Sequence, residues 1–212
     1  PGPPPAPNNP SRIYVSNTGT PGICVYQPTM SSFGNTGRFV ASGLMAGNGV
    51  FVAEDSDLLF QVALNPANVK IYSNSGSVNG NVTPMADFTA NGINSAREIA
   101  YDADNDILYI ASNSDAAIYV FDNPTSLSGM VDADRVIMLN GEPWGISLDA
   151  DNDRLFVAKD KTGMFQVYNN VSEANGETMP SVEIAIDGAT RTHGIHYSPE
   201  TDILIVTEIG AA

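Results

Sequence analysis

The sequence predicts an all-β protein: a β-propeller of four-stranded antiparallel blades with repeats of about 47–49 residues. Three observations predict it. Four segments superimpose, GVFVAEDSDLLFQVA from Gly49, EIAYDADNDILYIA from Glu98, GISLDADNDRLFVA from Gly145 and GIHYSPETDILIVT from Gly194. Their second residues, Val50, Ile99, Ile146 and Ile195, are 49, 47 and 49 apart. Each unit breaks into apolar runs of about five residues, rich in β-branched and aromatic side chains and bounded by turn residues, with no 3.6-residue periodicity.

Each unit decodes in order. Strand one is the Gly-Ile-x-Tyr segment. An acidic tight turn, Asp102 to Asp106 or Asp149 to Asp153, leads into strand two, Leu108–Ala111 or Leu155–Ala158. A polar bend such as Ser112–Asp115 opens strand three, Ile118–Phe121, whose register is kept by Asn74, Asn123 and Asn170, again 49 and 47 apart. A long Gly/Pro/Asn-rich link precedes strand four, Arg135–Leu139 or Val182–Ile186.

The first unit begins at strand two (Arg12–Ser16), and the last holds only strand one (Gly194–Tyr197) and strand two (Ile203–Thr207), giving seventeen strands. The organisation read from this is a proline-rich extended linker at 1–11, then blades at 12–44 (partial), 45–93, 94–142, 143–191 and 192–212 (partial). The expected parent is a ring of roughly six or seven blades, of which this is an incomplete part; a compact four-bladed ring is the alternative.

Composition narrows the partners. With 24 Asp and Glu against 9 Lys and Arg, a net charge of −15, the surface repels a phosphate backbone, so nucleic acid is excluded. No run approaches the roughly 18 apolar residues of a membrane-spanning helix. Cys24 is the one cysteine; it lies in the apolar run Ile23–Tyr26 and is expected in the core. The linker, half proline over its first ten residues, is an extended spacer of the kind that follows a targeting signal or lipid anchor. The expected location is therefore extracellular, cell-surface or periplasmic, with anchoring through that linker.

Residues 137–160, IMLNGEPWGISLDADNDRLFVAKD, resemble the YVTN and NHL classes of β-propeller. Blades of those classes carry a Pro-x-Gly-Ile/Val strand, an acidic turn and a Tyr-Val-containing strand. The links at 75–88 and 171–184 are similar to those of exported bacterial and archaeal proteins of the NHL-like kind. The resemblance covers residues 12–212. It implies the propeller fold, with adhesion, surface-layer, interaction and lactonase functions all represented in such families.

The acidic turns spell Asp-x-Asp-x-Asp at Asp102, Asp104 and Asp106 and again at Asp149, Asp151 and Asp153. Calcium favours several carboxylates on one tight loop. The glycine of a calcium loop is missing, however, and the other repeats offer only Asp55 and Asp57, or Glu200 and Asp202. Hairpin chemistry, in which Asp and Asn bond their own backbone, is the reading favoured for the column Asp57, Asp106, Asp153 and Asp202. No cofactor is expected, calcium or another divalent cation being the one considered.

The residue before each Gly/Glu-Ile step is Asn48, Arg97, Trp144 and His193 in successive units. Strand one is innermost in a propeller, so these four are expected to ring one mouth of the central channel and bind a ligand or partner. His193 and His196, three apart on a strand, are expected on opposite faces, with Glu142 or Glu98 as acidic neighbours of His193. Resemblance to gluconolactonase-type propellers would imply a channel metal held by carboxylates and Asn. Here His193 stands where Asn is needed, and no nucleophile elbow or phosphate loop occurs. No catalytic or metal-ligating residue is assigned. The function expected is a non-enzymatic interaction or structural module with a protein partner; a metal-dependent lactonase or esterase, and a subunit of a surface assembly or filament, are the alternatives.

Overall fold

The structure, a computed structural model, describes residues 12–19, 21–29 and 32–210. The linker read at 1–11 lies outside the described residues. The chain forms five successive sheets. The first contains β1 (Ile13–Asn17), β2 (Gly22–Thr29) and β3 (Ser32–Val40); the second is founded on β4 (Gly47–Ala53), β5 (Leu58–Ala63), β6 (Asn68–Ser73) and β7 (Ala86–Ala90). The third follows β8 (Ala96–Asp102), β9 (Ile107–Ser112) and β10 (Ala117–Asp122). Its connection holds β11 (Ser128–Val131) before β12 (Arg135–Met138) completes the blade. The fourth runs β13 (Pro143–Asp149), β14 (Arg154–Lys159) and β15 (Met164–Asn169), with β16 (Gly176–Glu177) ahead of β17 (Val182–Ala185). The pair β18 (Thr192–Ser198) and β19 (Ile203–Glu208) closes the series.

These are propeller blades. The inner strands β4, β8, β13 and β18 pack in succession, β4 on β8, β8 on β13 and β13 on β18. β18 pairs with β19 and not with β1, so the blades are set out as an open arc and the compact four-bladed ring does not form. The core lies between blades. Phe60, Val69 and Ile71 of the second blade meet Ile99, Leu108 and Ile110 of the third. Tyr109 and Ile118 of the third meet Ile146, Leu155 and Tyr168 of the fourth. A strand covered on both faces has no solvent side, which is why Leu58–Ala63, apart from the hydrogen-bonded Gln61, and Ile107–Ala111 read as apolar runs, and why both strands are buried at every position. Cys24 departs from expectation. Ile23 and Val25 are buried, but pleating turns Cys24 to the other face, where it is only half-buried.

Asp57, Asp106, Asp153 and Asp202 end the strand-one-to-two turns with φ of 53°, 51°, 49° and 52°, a left-handed conformation that Asp tolerates. Their carboxylates are engaged. Asp57 accepts from Ser75 Oγ (2.8 Å) and Gly76 N (3.0 Å), and Asp153 from Ser172 Oγ (2.8 Å) and Ser172 N (2.9 Å). Asp106 accepts from Tyr101 Oη and Thr125 Oγ1 at 2.8 and 3.0 Å. The turn residue thus holds the loop that follows strand three.

The described residues form nineteen strands rather than seventeen, because the links are not irregular. β11 lies parallel to β7, the outer strand of the preceding blade, and β16 lies parallel to β12 of its predecessor. Gly80 makes the same parallel bridge to Val40 on β3. Each link thus reaches back and latches the blade before it. Gly80, Gly129 and Gly176 hold one position of the repeat at φ of 75°, 74° and 74°, where a Cβ is disfavoured. Asn79 and Asn175 extend the latch, accepting the Phe39 and Val136 N–H groups at 3.1 Å each.

Candidate functional site

Every inner strand starts with the same irregularity. Gly47 lies opposite Ala63 and Val50 opposite Gln61, so three steps on one strand match two on the other. The same holds between Ala96 and Ile99, between Pro143 and Ile146, and between Thr192 and Ile195. A β-bulge of this kind frees a side chain from the pleat and re-aims it. The bulges contain Asn48, Arg97, Trp144 and His193.

Three of these four meet in one stack. The Arg97 guanidinium lies over the Trp144 ring, 4.0 Å from its centroid. The other face of Trp144 stacks on His193 with centroids 3.8 Å apart and planes inclined by 11°. Asn48 is outside the stack but braces it, its Nδ2 donating to the Ala96 carbonyl (3.0 Å) directly before Arg97. The acidic neighbour of His193 is Asp160, with Oδ1 at 3.2 Å from Nε2, and not Glu142 or Glu98. Glu142 is drawn away by Lys161 at 2.6 Å, and Glu98 faces a different space. His193 and His196 are not brought together: His193 lies in the stack, whereas His196 lines a separate hollow.

Asp160 also accepts from Arg191 Nε at 2.8 Å. Burial by itself would raise its carboxyl, but Arg191 and His193 together hold it below the usual carboxylate range. Arg97 is treated oppositely. Burial lowers its pKa, offset in part by the field of Asp160. Its Nε is buried without a partner, and no carboxylate among the described residues pairs with it. The arrangement therefore presents a cation on an aromatic plate, with its hydrogen-bonding capacity unspent.

Asp160 and Arg191 were not anticipated. The signal lay in the repeat itself. Asn113, 47 residues earlier, bonds the Pro143 carbonyl from the same position at the end of strand two. Glu98, expected from the sequence as a neighbour of His193, has another place. It lines an open hollow of about 600 Å³ between the four inner strands, and burial pushes its carboxyl up to about 7. Among the described residues, no group of three or more His, Cys, Asp or Glu is arranged to hold a metal ion, and no helix is long and apolar enough to cross a membrane.

No family model matches the chain, and no curated protein does. Solved structures do. A chain from a nidogen/laminin complex superimposes with a TM-score of 0.64 at 16% identity, over 87% of this chain and 63% of that one. Hydrazine synthase from Kuenenia stuttgartiensis gives a TM-score of 0.66 at 14% identity, over 93% of this chain and 52% of its own. The chain thus spans less than two thirds of either protein. At such identities the likeness shows the fold, and it is the propeller fold that the repeat predicts.

Proposed function

We propose that this chain is the propeller of an exported, non-enzymatic interaction protein of the NHL/YVTN type, and that it docks a protein partner at the channel mouth formed by Asn48, Arg97, Trp144 and His193. One observation carries the reading: side chains that differ from blade to blade, on bulges that do not, assemble into the Arg97–Trp144–His193 stack. Arg and Trp are the residue types that most often anchor protein interfaces. The guanidinium left without a carboxylate is suited to an acidic side chain or chain terminus of the partner. That a chain of similar fold comes from a complex of nidogen with laminin supports a protein partner. The acidic surface and proline spacer support a place outside the cytoplasm.

Site-directed photo-crosslinking in the producing cells tests this. A photoreactive residue at Asn48 is expected to trap a discrete protein, whereas one at exposed Met130 on the outer edge traps none. Arg97→Ala is expected to weaken the Asn48 product at least tenfold, the emission of Trp144, the single tryptophan, reporting that the mouth stays assembled. Equal trapping at both positions would end the proposal. Ester or lactone turnover abolished by His193→Ala would replace it with the hydrolase.

A further inference from the structure

The hollow beside the stack is its chemical opposite. Val50, Ile99, Ile146 and Ile195 give it apolar walls, while Glu54, Glu98 and Glu200 line it and no Lys or Arg does. A second hollow of about 330 Å³ shares Glu54 and adds Asp55, Asp104 and Asp151 to the same negative end. Such a field concentrates cations.

Glu98 is where the repeat breaks. Its counterparts at the second bulge position are Gly49, Gly145 and Gly194. Small size is imposed there, since a Cβ on Gly49 would approach the Arg97 carbonyl to 2.9 Å, and one on Gly145 would run into the His193 carbonyl. The third blade carries a carboxylic acid instead. Glu98 accepts a single hydrogen bond, from the Ile99 N–H of its own strand (3.3 Å), and none of the described cations pairs with it. Its level differs from that of the other two carboxylates. Glu54 lies five residues beyond the matching position Gly49, just past the end of β4, at most roughly 16 Å along the chain. Carboxylates so spaced do not converge on one metal ion, but they suit a ligand with separated positive charges.

We propose that this hollow binds an elongated organic cation of the polyamine class, with one ammonium on Glu98, its methylene body along Val50, Ile99, Ile146 and Ile195, and a second ammonium at the mouth between Glu54 and Glu200. The site is separate from the Arg97–Trp144–His193 stack and stands whether or not a protein docks there. The volume falls within the range of small-molecule sites. Because burial holds Glu98 largely protonated at pH 6, an arriving ammonium expels that proton, whereas at pH 8.5 the carboxylate is already charged. The other titratable groups facing the hollow are Glu54 after β4, Tyr101 of β8, and His196, Tyr197 and Glu200 of β18 and its turn; β13 contributes none, its lining residues being Ile146, Ser147 and Leu148.

Calorimetric titration of the whole chain with spermidine, in two buffers of different ionisation heat, tests the assignment. The expected result is one ligand per chain, with proton release approaching one at pH 6 and vanishing at pH 8.5. Glu98→Gln is expected to weaken binding at least tenfold and abolish the release, with Arg97→Ala and His196→Gln leaving both intact. Glu98→Gly, which restores the residue of the other blades, serves if the glutamine variant does not fold. Absence of binding, unchanged affinity in both Glu98 variants, or the same proton-releasing heat from calcium chloride would overturn the proposal.

Discussion

Tyr72, Phe121 and Tyr168 occupy one position of strand three, and Phe60, Tyr109 and Phe156 one position of strand two. All six rings are buried between blades, so each column accepts a phenyl or a phenol of nearly the same shape. What separates them is the hydroxyl. Tyr168 Oη donates to Gln166 Oε1 at 2.7 Å, whereas the Tyr109 hydroxyl is buried with no partner, and burial raises the pKa of both phenols. A buried polar group without a hydrogen bond opposes folding, and one with a bond favours it modestly. Tyr109→Phe is therefore expected to leave stability unchanged or raise it by about 1 kcal/mol, and Tyr168→Phe to lower it by about 1 kcal/mol. Urea unfolding of the two variants compares them directly; a loss for Tyr109→Phe as large as that for Tyr168→Phe would contradict the hydrogen-bond assignment. The same scale explains what reading by column did and did not reveal. Asn48, Arg97, Trp144 and His193 stood out because they vary within a repeated frame. Asp160 was marked only by the repeat position it shares with Asn113, since the column Leu64, Asn113 and Asp160 has no charge in common and nothing local names Arg191 and His193 as its partners.

At the level of strands, the four-stranded blade was legible from turn residues and apolar runs, and the latch was not. β16 is two residues long and β11 only four, too short and polar for any alternation to register. Yet Asn79-Gly80 and Asn175-Gly176 repeat 96 residues apart, two full units, and a glycine recurring within a loop marks a backbone requirement. That requirement can be isolated. A Cβ at Gly176 meets nothing within 4 Å, so Gly176→Ala costs only the left-handed conformation, about 1–2 kcal/mol. Gly145→Ala instead drives a methyl into the His193 carbonyl of the next inner strand. It is expected to cost more and, by parting β13 from β18, to shift the emission of Trp144. Thermal unfolding followed by tryptophan fluorescence separates the two. An unchanged spectrum in the Gly145 variant would mean that the bulges do not set the spacing of the stack.

Across the whole molecule, stability is a chain of blade-to-blade contacts, so each blade face needs a neighbour. Val40, Phe88 and Ile137, the outer-strand residues that face the latches, are 0%, 1% and 1% exposed, while Ile184 on β17, the next in that column, is 43% exposed. β19 shows the same effect along one strand. It repeats the apolar pattern of β5 and β9, but Ile203 and Ile205 are 52% and 57% exposed because only one face is covered. Ile13 and Val15 on β1 open the arc in the same way. Full burial of one such side chain yields about 1.5–3 kcal/mol, so several together amount to a strong drive toward association. The chain by itself is accordingly expected to self-associate as its concentration rises. The double variant Ile184→Lys, Ile205→Lys is expected to sediment as a monomer with its near-ultraviolet circular dichroism unchanged, since neither side chain supports the interior. Lysines at an uncovered strand edge block strand-to-strand addition as well as apolar contact, so one variant addresses both routes. Monodisperse monomers of the unaltered chain across the same concentration range would show that these faces do not drive association, and the filament reading of the protein would lose its physical basis.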